Sequence, residues 1–304
     1  MTTKTGSTAK EMLSRTIQLP NNLKIPQIQL GLYMMSPTET TRSVRWALEA
    51  GYRGFDSAQW YENEAETASS IASFLSSPNT TSSGITRSDI FYTTKLKDNS
   101  TSVSQIRRAV DKSLSAAKPL GYVDLFLLHS PLGGKAARMT SWKTLEEYVL
   151  AGDGDDEQVE IKSIGVSNYG VAHIEELMAS NPRVKPAVNQ IEVHPFNTQN
   201  AIRECCAKYG IVVEAYAPLA RGMKFGGRSK TLKGLADKYG VSEAQLMVRW
   251  SVQHGFVTLP KSAKKDRLVT NADVGGFEIS KEDMATLDGL DEHLVTDWDP
   301  TDAP

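Results

Sequence analysis

The chain has 304 residues, 40% hydrophobic and 23% charged, an ordinary composition for a soluble globular protein and too apolar for a disordered one. Its 34 basic and 36 acidic residues leave a formal charge of −2, which gives no electrostatic footprint for nucleic acid or an anionic membrane surface. No apolar run nears the roughly 18 residues of a membrane span, and Met1-Thr2-Thr3-Lys4-Thr5-Gly6-Ser7 lacks the apolar stretch of a signal peptide, so a cytoplasmic monomer is expected.

Residues 1–13 read as a disordered polar tail. The runs 14–19 and 23–28 flank Pro20-Asn21-Asn22 and predict a β-hairpin, a lid over one end of the domain. Short apolar runs then alternate with amphipathic stretches. The predicted strands are 28–32, 54–56, 90–95, 122–129, 161–166, 187–191, 211–216 and 256–259, and the clearest helices are 39–50, 62–75 and 103–117. Eight strands alternating with helices predict an α/β protein, a closed (β/α)8 (TIM) barrel with an N-terminal β-hairpin lid. It takes in residues 1–304 as one domain, with 272–304 as a C-terminal helix and loop. An open doubly wound sheet is the other arrangement this alternation permits. Residues 76–88 and the acidic run Gly152-Asp153-Gly154-Asp155-Asp156 fall between a helix and the next strand, which puts them on the N-terminal face as solvated insertions. Cys205 and Cys206 are neighbours on a predicted helix, do not face each other, and read as an inert pair in a reducing compartment.

In such a barrel, function collects at the C-terminal ends of the strands. Asp56 closes the second predicted strand, with Tyr61 shortly after it. Lys95 closes the third and His129 the fourth; Ser167 and Asn168 follow the fifth, Gln190 lies in the sixth, and Tyr216 closes the seventh. Lys95 ends an apolar strand, so its ammonium needs a buried partner, and Asp56 on the adjacent strand is the obvious one. A lysine held there would lower the pKa of a nearby tyrosine towards the working pH. Tyrosine, lysine, aspartate and histidine at one mouth make a proton-donating site without a metal. After the eighth strand, Pro260-Lys261-Ser262 leads into a helix with Arg267 near its start. The free N–H groups of a helix start, with the cations Lys261 and Arg267, suit a phosphate, including an extra monophosphate.

From about Ile25 to Asn271 the chain resembles the aldo-keto reductase family. The resemblance rests on Gly51-Tyr52-Arg53-Gly54-Phe55-Asp56-Ser57-Ala58, Tyr61-Glu62-Asn63-Glu64, Asp124-Leu125-Phe126-Leu127-Leu128-His129, Ile164-Gly165-Val166-Ser167-Asn168 and Leu259-Pro260-Lys261-Ser262, in that order. It implies an NADPH-dependent reductase of the alcohol dehydrogenase (NADP+) type, which turns an aldehyde or ketone into the alcohol. The resemblance makes Tyr61 the general acid, tuned by Asp56 and Lys95, with His129 orienting the carbonyl. Ser167, Asn168 and Gln190 would hold the nicotinamide carboxamide, and Tyr216 would stack on the ring. Lys261, Ser262 and Arg267 would take the 2′-phosphate and Asn271 the adenine; Gly31, Leu32, Tyr33, Ala217, Leu219 and Arg221 complete the implied cofactor cleft. Tyr33, Trp60, Ser130 and Trp298 would line the substrate pocket.

The chain departs from the family pattern at Gln29, where glycine is usual, and at Thr270, which is often acidic. Ala217 and Arg221 stand where small hydroxyl residues often touch the pyrophosphate, and Arg221 would replace those contacts with a charge. Two other functions fit the same residues: a non-catalytic NADPH-binding regulatory protein, and a barrel hydrolase using Glu192 and Glu214 as paired carboxylates.

Overall fold

Parallel hydrogen bonding joins eight strands into one sheet in a computed structural model that describes residues 9–151 and 159–304. The strands are β1 (Leu30–Gly31), β2 (Gly54–Asp56), β3 (Phe91–Leu96), β4 (Leu125–Leu128), β5 (Ile164–Ser167), β6 (Val188–Glu192), β7 (Val212–Tyr216) and β8 (Val257–Thr258). Their order in the sheet follows the chain. The Gln29 N–H donates to the Thr258 carbonyl (3.0 Å) and the Thr258 N–H to that of Gln27 (2.8 Å), which returns β8 to the chain entering β1. These bonds close the barrel and exclude the open sheet, whose outer strands would lack partners. Gly31 permits the join, because a Cβ there would lie 3.3 Å from the Leu259 carbonyl oxygen.

The helix Pro37–Ala50 shows how local sequence sets the repeat. Ser36 caps it and Glu39 returns the capping bond, Pro37 opens its first turn, and Gly51 ends it in a left-handed conformation (φ 106°) that turns the chain towards β2. Alternate residues of each strand then enter different cores. Tyr92, Leu96, Phe126, Leu128, Ile191, Val213 and Ala215 pack under the helices. Phe91, Leu125, Leu127, Val188, Val212 and Val257, of the opposite parity, fill the barrel and meet Leu19 and Ile25 of the hairpin Thr16–Gln18/Lys24–Pro26. The hairpin therefore plugs the N-terminal end of the barrel.

Two expectations are corrected. Of the expected tail, residues 1–8 lie outside the described residues, and Ala9–Leu13 form a helix packed against Lys265–Ala272, with Met12 and Leu13 buried because they cover its apolar side. The fourth and fifth predicted strands each divide, with Tyr122–Val123 and Glu160–Ile161 pairing in a separate small sheet. Asp124 makes the break, because its carboxylate is drawn to Arg87 (2.6 Å) and the Tyr92 N–H (2.9 Å). The insertion 76–88 carries the short helix Pro78–Ser82, and the insertion at 152–156 lies outside the described residues. The C-terminal part holds the helix Lys281–Asp288 and then an irregular segment. Cys205 and Cys206 are buried free thiols on Asn200–Tyr209, and burial pushes Cys206 up to about 12. Among the described residues, no helix is long and apolar enough to cross a membrane.

Candidate active site

Asp56 pairs with Thr93 across β2 and β3, and Lys95 lies two residues further along the same face, so the two charged side chains meet at the C-terminal mouth. The Lys95 ammonium is fully buried. It donates to Asp56 Oδ2 (2.8 Å), the Ser57 carbonyl (2.9 Å) and the Tyr61 hydroxyl (3.2 Å). Three protons and three acceptors satisfy a buried lysine completely. Tyr61 ends the one-turn helix Gln59–Tyr61, and Glu62 leaves that helix with φ 53°. Buried Asn63 holds the turn, accepting from Ser57 (2.7 Å) and donating to the Leu32 carbonyl (3.0 Å) and Thr40 (3.1 Å).

Burial first, and then the Asp56 carboxylate, push the Tyr61 hydroxyl well above its ordinary pKa; Tyr33, Glu214 and Asp297 act in the same direction. The expectation that Lys95 would lower the Tyr61 pKa towards the working pH is corrected: Asp56 matches the lysine charge, so desolvation decides. Tyr61 is a neutral phenol with a proton to give. The His129 ring lies 5.6 Å from that of Tyr61 and 4.5 Å from Trp60. Burial, and then the charge of Lys95, hold this imidazole well below its ordinary pKa, and Nδ1 has no hydrogen-bond partner among the described residues. It is neutral, with one donor and one acceptor nitrogen.

The residues expected to hold a nicotinamide gather on the neighbouring strands. Ser167 donates to the Gln190 carbonyl (2.9 Å), Asn168 donates to the His129 carbonyl (3.0 Å), and the Tyr216 hydroxyl donates to Asn168 Oδ1 (2.9 Å). Gln190 spends its side-chain N–H groups on Asp56 (2.9 Å) and Glu214 (3.0 Å), leaving its side-chain Oε1 without a donor among the described residues. Lys261 and Arg267 are exposed and make no salt bridge among the described residues, whereas nearby Lys265 is held by Glu49 (3.1 Å). Ser262 is buried and accepts from the Lys264 N–H (3.1 Å) at the start of Lys265–Ala272, the helix that also carries Asn271, itself mostly covered. Cations without a carboxylate partner among the described residues, an open amide oxygen and a helix start at one rim suit a phosphorylated dinucleotide. Gly31 and Leu32 lie buried where β1 reaches this rim, and partly covered Leu219 stands in the loop after β7. In that loop Ala217, Ala220 and Arg221 all take left-handed φ (45°, 45° and 49°), conformations that non-glycine residues adopt at a cost.

Arg221 does not stand free for a pyrophosphate. Its guanidinium pairs with Asp297 (2.7 Å) and lies over the Tyr33 ring (5.6 Å), because the C-terminal segment brings a carboxylate to it. The same segment carries Trp298 to Trp60, with ring centroids 5.5 Å apart, and Tyr33 packs on Tyr61 at 5.1 Å. Ser130 is buried, and its carbonyl accepts from Asn99 (2.8 Å). The two glutamates of the hydrolase reading are both buried and already engaged. Glu192 is tied to Thr296 Oγ1 (2.6 Å) and to His194 (3.1 Å), while Glu214 is fully buried between Gln29 and Gln190. Sequence reasoning missed Asn63, Asp297 and the contact of Gln29 with Glu214. The signal it had was parity, since Glu214 and Gln190 share the inward register of Tyr216 and Glu192.

Fold and site together belong to an oxidoreductase built on a (β/α)8 barrel. The chain matches the Aldo/keto reductase family over residues 27–292, and it belongs to that family. It is 46% identical over 293 residues to an uncharacterized oxidoreductase of Schizosaccharomyces pombe, C2F3.05c, covering 96% of this chain and 100% of that protein. It is 37% identical to the glyoxal reductase of Bacillus subtilis (strain 168), covering 92% and 94% of the two chains. The crystal structure of a Bombyx mori aldo-keto reductase in complex with NADP superposes with a TM-score of 0.81 at 30% identity, over 93% of this chain and 94% of that one.

Proposed function

We propose that this protein is a cytoplasmic, monomeric reductase that converts an aldehyde or ketone to the alcohol with NADPH, Tyr61 giving the proton. One observation carries the reading: a neutral Tyr61 hydroxyl 3.2 Å from a buried ammonium that Asp56 holds at 2.8 Å. When bound, NADPH supplies the hydride. Ser167, Asn168 and Gln190 would hold its carboxamide, Tyr216 would be the platform for its ring, and Lys261, Ser262 and Arg267 would take the 2′-phosphate. Its remaining contacts would run along Gly31, Leu32, Tyr33, Ala217 and Leu219, with Asn271 at the adenine end. The carbonyl oxygen lies between the Tyr61 hydroxyl and the neutral His129 ring, whose hydrogen bonds strengthen as negative charge develops there. Tyr61 delivers its proton to that oxygen, and Lys95, anchored by Asp56, stabilises the phenolate left behind. Trp60, Trp298 and Tyr33 form an aromatic wall with Ser130 at its base, suited to aryl or apolar carbonyl compounds. Similarity to the glyoxal reductase and to the NADP-complexed enzyme supports both halves of the reading.

Loss of NADPH absorbance with an aryl aldehyde tests it. Replacing Tyr61 with Phe should lower turnover by about 10²–10⁴-fold while NADPH binding stays nearly intact. Wild-type turnover in that variant would refute the assignment. A binding-only regulator would shift cofactor fluorescence without turnover, and a hydrolase would leave NADPH untouched.

A further inference from the structure

Below the Lys95–Asp56 pair the barrel holds a second carboxyl that proton transfer from Tyr61 does not itself use. Glu214, midway along β7, is fully buried. Its Oε2 accepts from Gln190 Nε2 (3.0 Å) and its Oε1 from Gln29 Nε2 (3.1 Å). Gln190 Nε2 also donates to Asp56 Oδ1 (2.9 Å), so one amide holds both carboxyls. Gly54 makes room for this layer, since a Cβ there would lie 2.3 Å from Gln29 Cγ. The titratable groups near Glu214 are Asp56 on β2, Tyr61 beyond it and Lys95 on β3; the chain entering β1 and β6 contribute the neutral amides Gln29 and Gln190, and β8 sets Val257 opposite it.

One ammonium cannot match two buried carboxylates, and the unmatched one is the one without a cation. Among the described residues the Gln29 side-chain Oε1 is buried with no donor, a further unmatched polar atom in this layer. We propose that Glu214 keeps a proton at neutral pH and acts as a positioning residue: neutral, it holds Gln190 and Asp56 in place, and once ionised it makes Tyr61 a weaker proton donor. Burial, and then the Asp56 charge, push its carboxyl up to about 8, consistent with this. The second half rests on Tyr61 being the general acid.

Glu214→Gln keeps the shape and removes the titration, and its first readout needs no cofactor. A carboxyl with a raised pKa binds more protons folded than unfolded, so it destabilises progressively as pH climbs from the ordinary carboxylate range to about 8. The denaturation midpoint of the Gln variant relative to wild type should therefore rise over that window and level off above it. A difference independent of pH overturns the proposal. In the second readout, wild-type kcat/KM for reduction should step down about threefold as Glu214 ionises, as a phenol about one pKa unit weaker would give at half-complete proton transfer. Glu214→Gln should lack that step, which a merely structural role would leave in place; its persistence overturns the proposal. Should Glu214→Gln not fold, Gln29→Leu removes a hydrogen bond that favours the charged form, and both transitions should move to higher pH; unmoved transitions overturn the proposal. A wild-type protein without turnover would sink the Tyr61 reading and this proposal's second half, while the stability readout still decides the first.

Discussion

The two ends of the barrel are built from the same strands and filled with opposite chemistry. At the N-terminal end the inward positions include Phe91, Val188 and Val212, closed over by Leu19 and Ile25. Two residues on, about 7 Å along each strand, the same parity gives Thr93, Gln190 and Glu214, and two further on it gives Lys95, Glu192 and Tyr216. The apolar end gains free energy from burial. The mouth spends it on a buried ion pair, a buried imidazole whose Nδ1 has no partner among the described residues, and left-handed backbone at Asn168, Ala217, Ala220 and Arg221. Stability and chemistry are separated along one axis, so substitutions at the two ends should fail in different ways.

The sharpest break of that contrast is Lys95→Met, which leaves Asp56 and Glu214 buried without a cation. It should abolish measurable reduction and also cost about 3–5 kcal/mol of stability, because removing one partner strands the other charge. Phe91→Ala, at the other end, should cost a similar 3–5 kcal/mol by opening a cavity, yet leave turnover per folded molecule unchanged. Denaturant titrations run beside NADPH assays check both. If Phe91→Ala lowers turnover as far as Lys95→Met does, the two ends are not separable. A smaller effect tests the rim. Arg267→Ala should weaken NADPH binding about 10–100-fold, the loss of a charge-assisted hydrogen bond of about 1.5–3 kcal/mol, and leave NADH binding unchanged. Equal losses for both cofactors would remove Arg267 from the 2′-phosphate.

What the sequence discloses follows the range of the interactions. In Phe91-Tyr92-Thr93-Thr94-Lys95 the alternation is local, and it alone sends Lys95 into the barrel towards Asp56. The barrel and the meeting of Asp56, Tyr61, Lys95 and His129 were legible for that reason. Asp124 was not read as a strand break, because its partners Arg87 and Tyr92 lie more than thirty residues away. Gln29 registered only as a missing glycine, since its reason for being there is Glu214, 185 residues on. Arg221 looked free for a phosphate because nothing near it in sequence announces Asp297. Periodicity reports which face a residue takes; it does not report which partner waits there.

The Arg221–Asp297 pair offers the finest test, because it belongs to the mouth without belonging to its buried chemistry. Both side chains are about a third exposed, at 37% and 33%, so the pair is screened by solvent and worth under about 1 kcal/mol. Asp297→Asn should therefore leave the melting temperature almost where it is. The pair nonetheless ties the loop after β7 to the segment that carries Trp298 against Trp60. A bound dinucleotide lying under that tie would leave faster once it is cut, by about two- to fivefold for an interaction of about 0.5–1 kcal/mol. High salt should speed release from the wild type by a larger factor than from the Asn variant, because it screens the clasp and the exposed phosphate contacts in the first and only the phosphate contacts in the second. Stopped-flow release of NADPH from the two proteins at low and high salt measures this. Identical release rates at low salt would mean that the clasp and the cofactor act independently, and that only the buried charges distinguish the mouth from the plugged end.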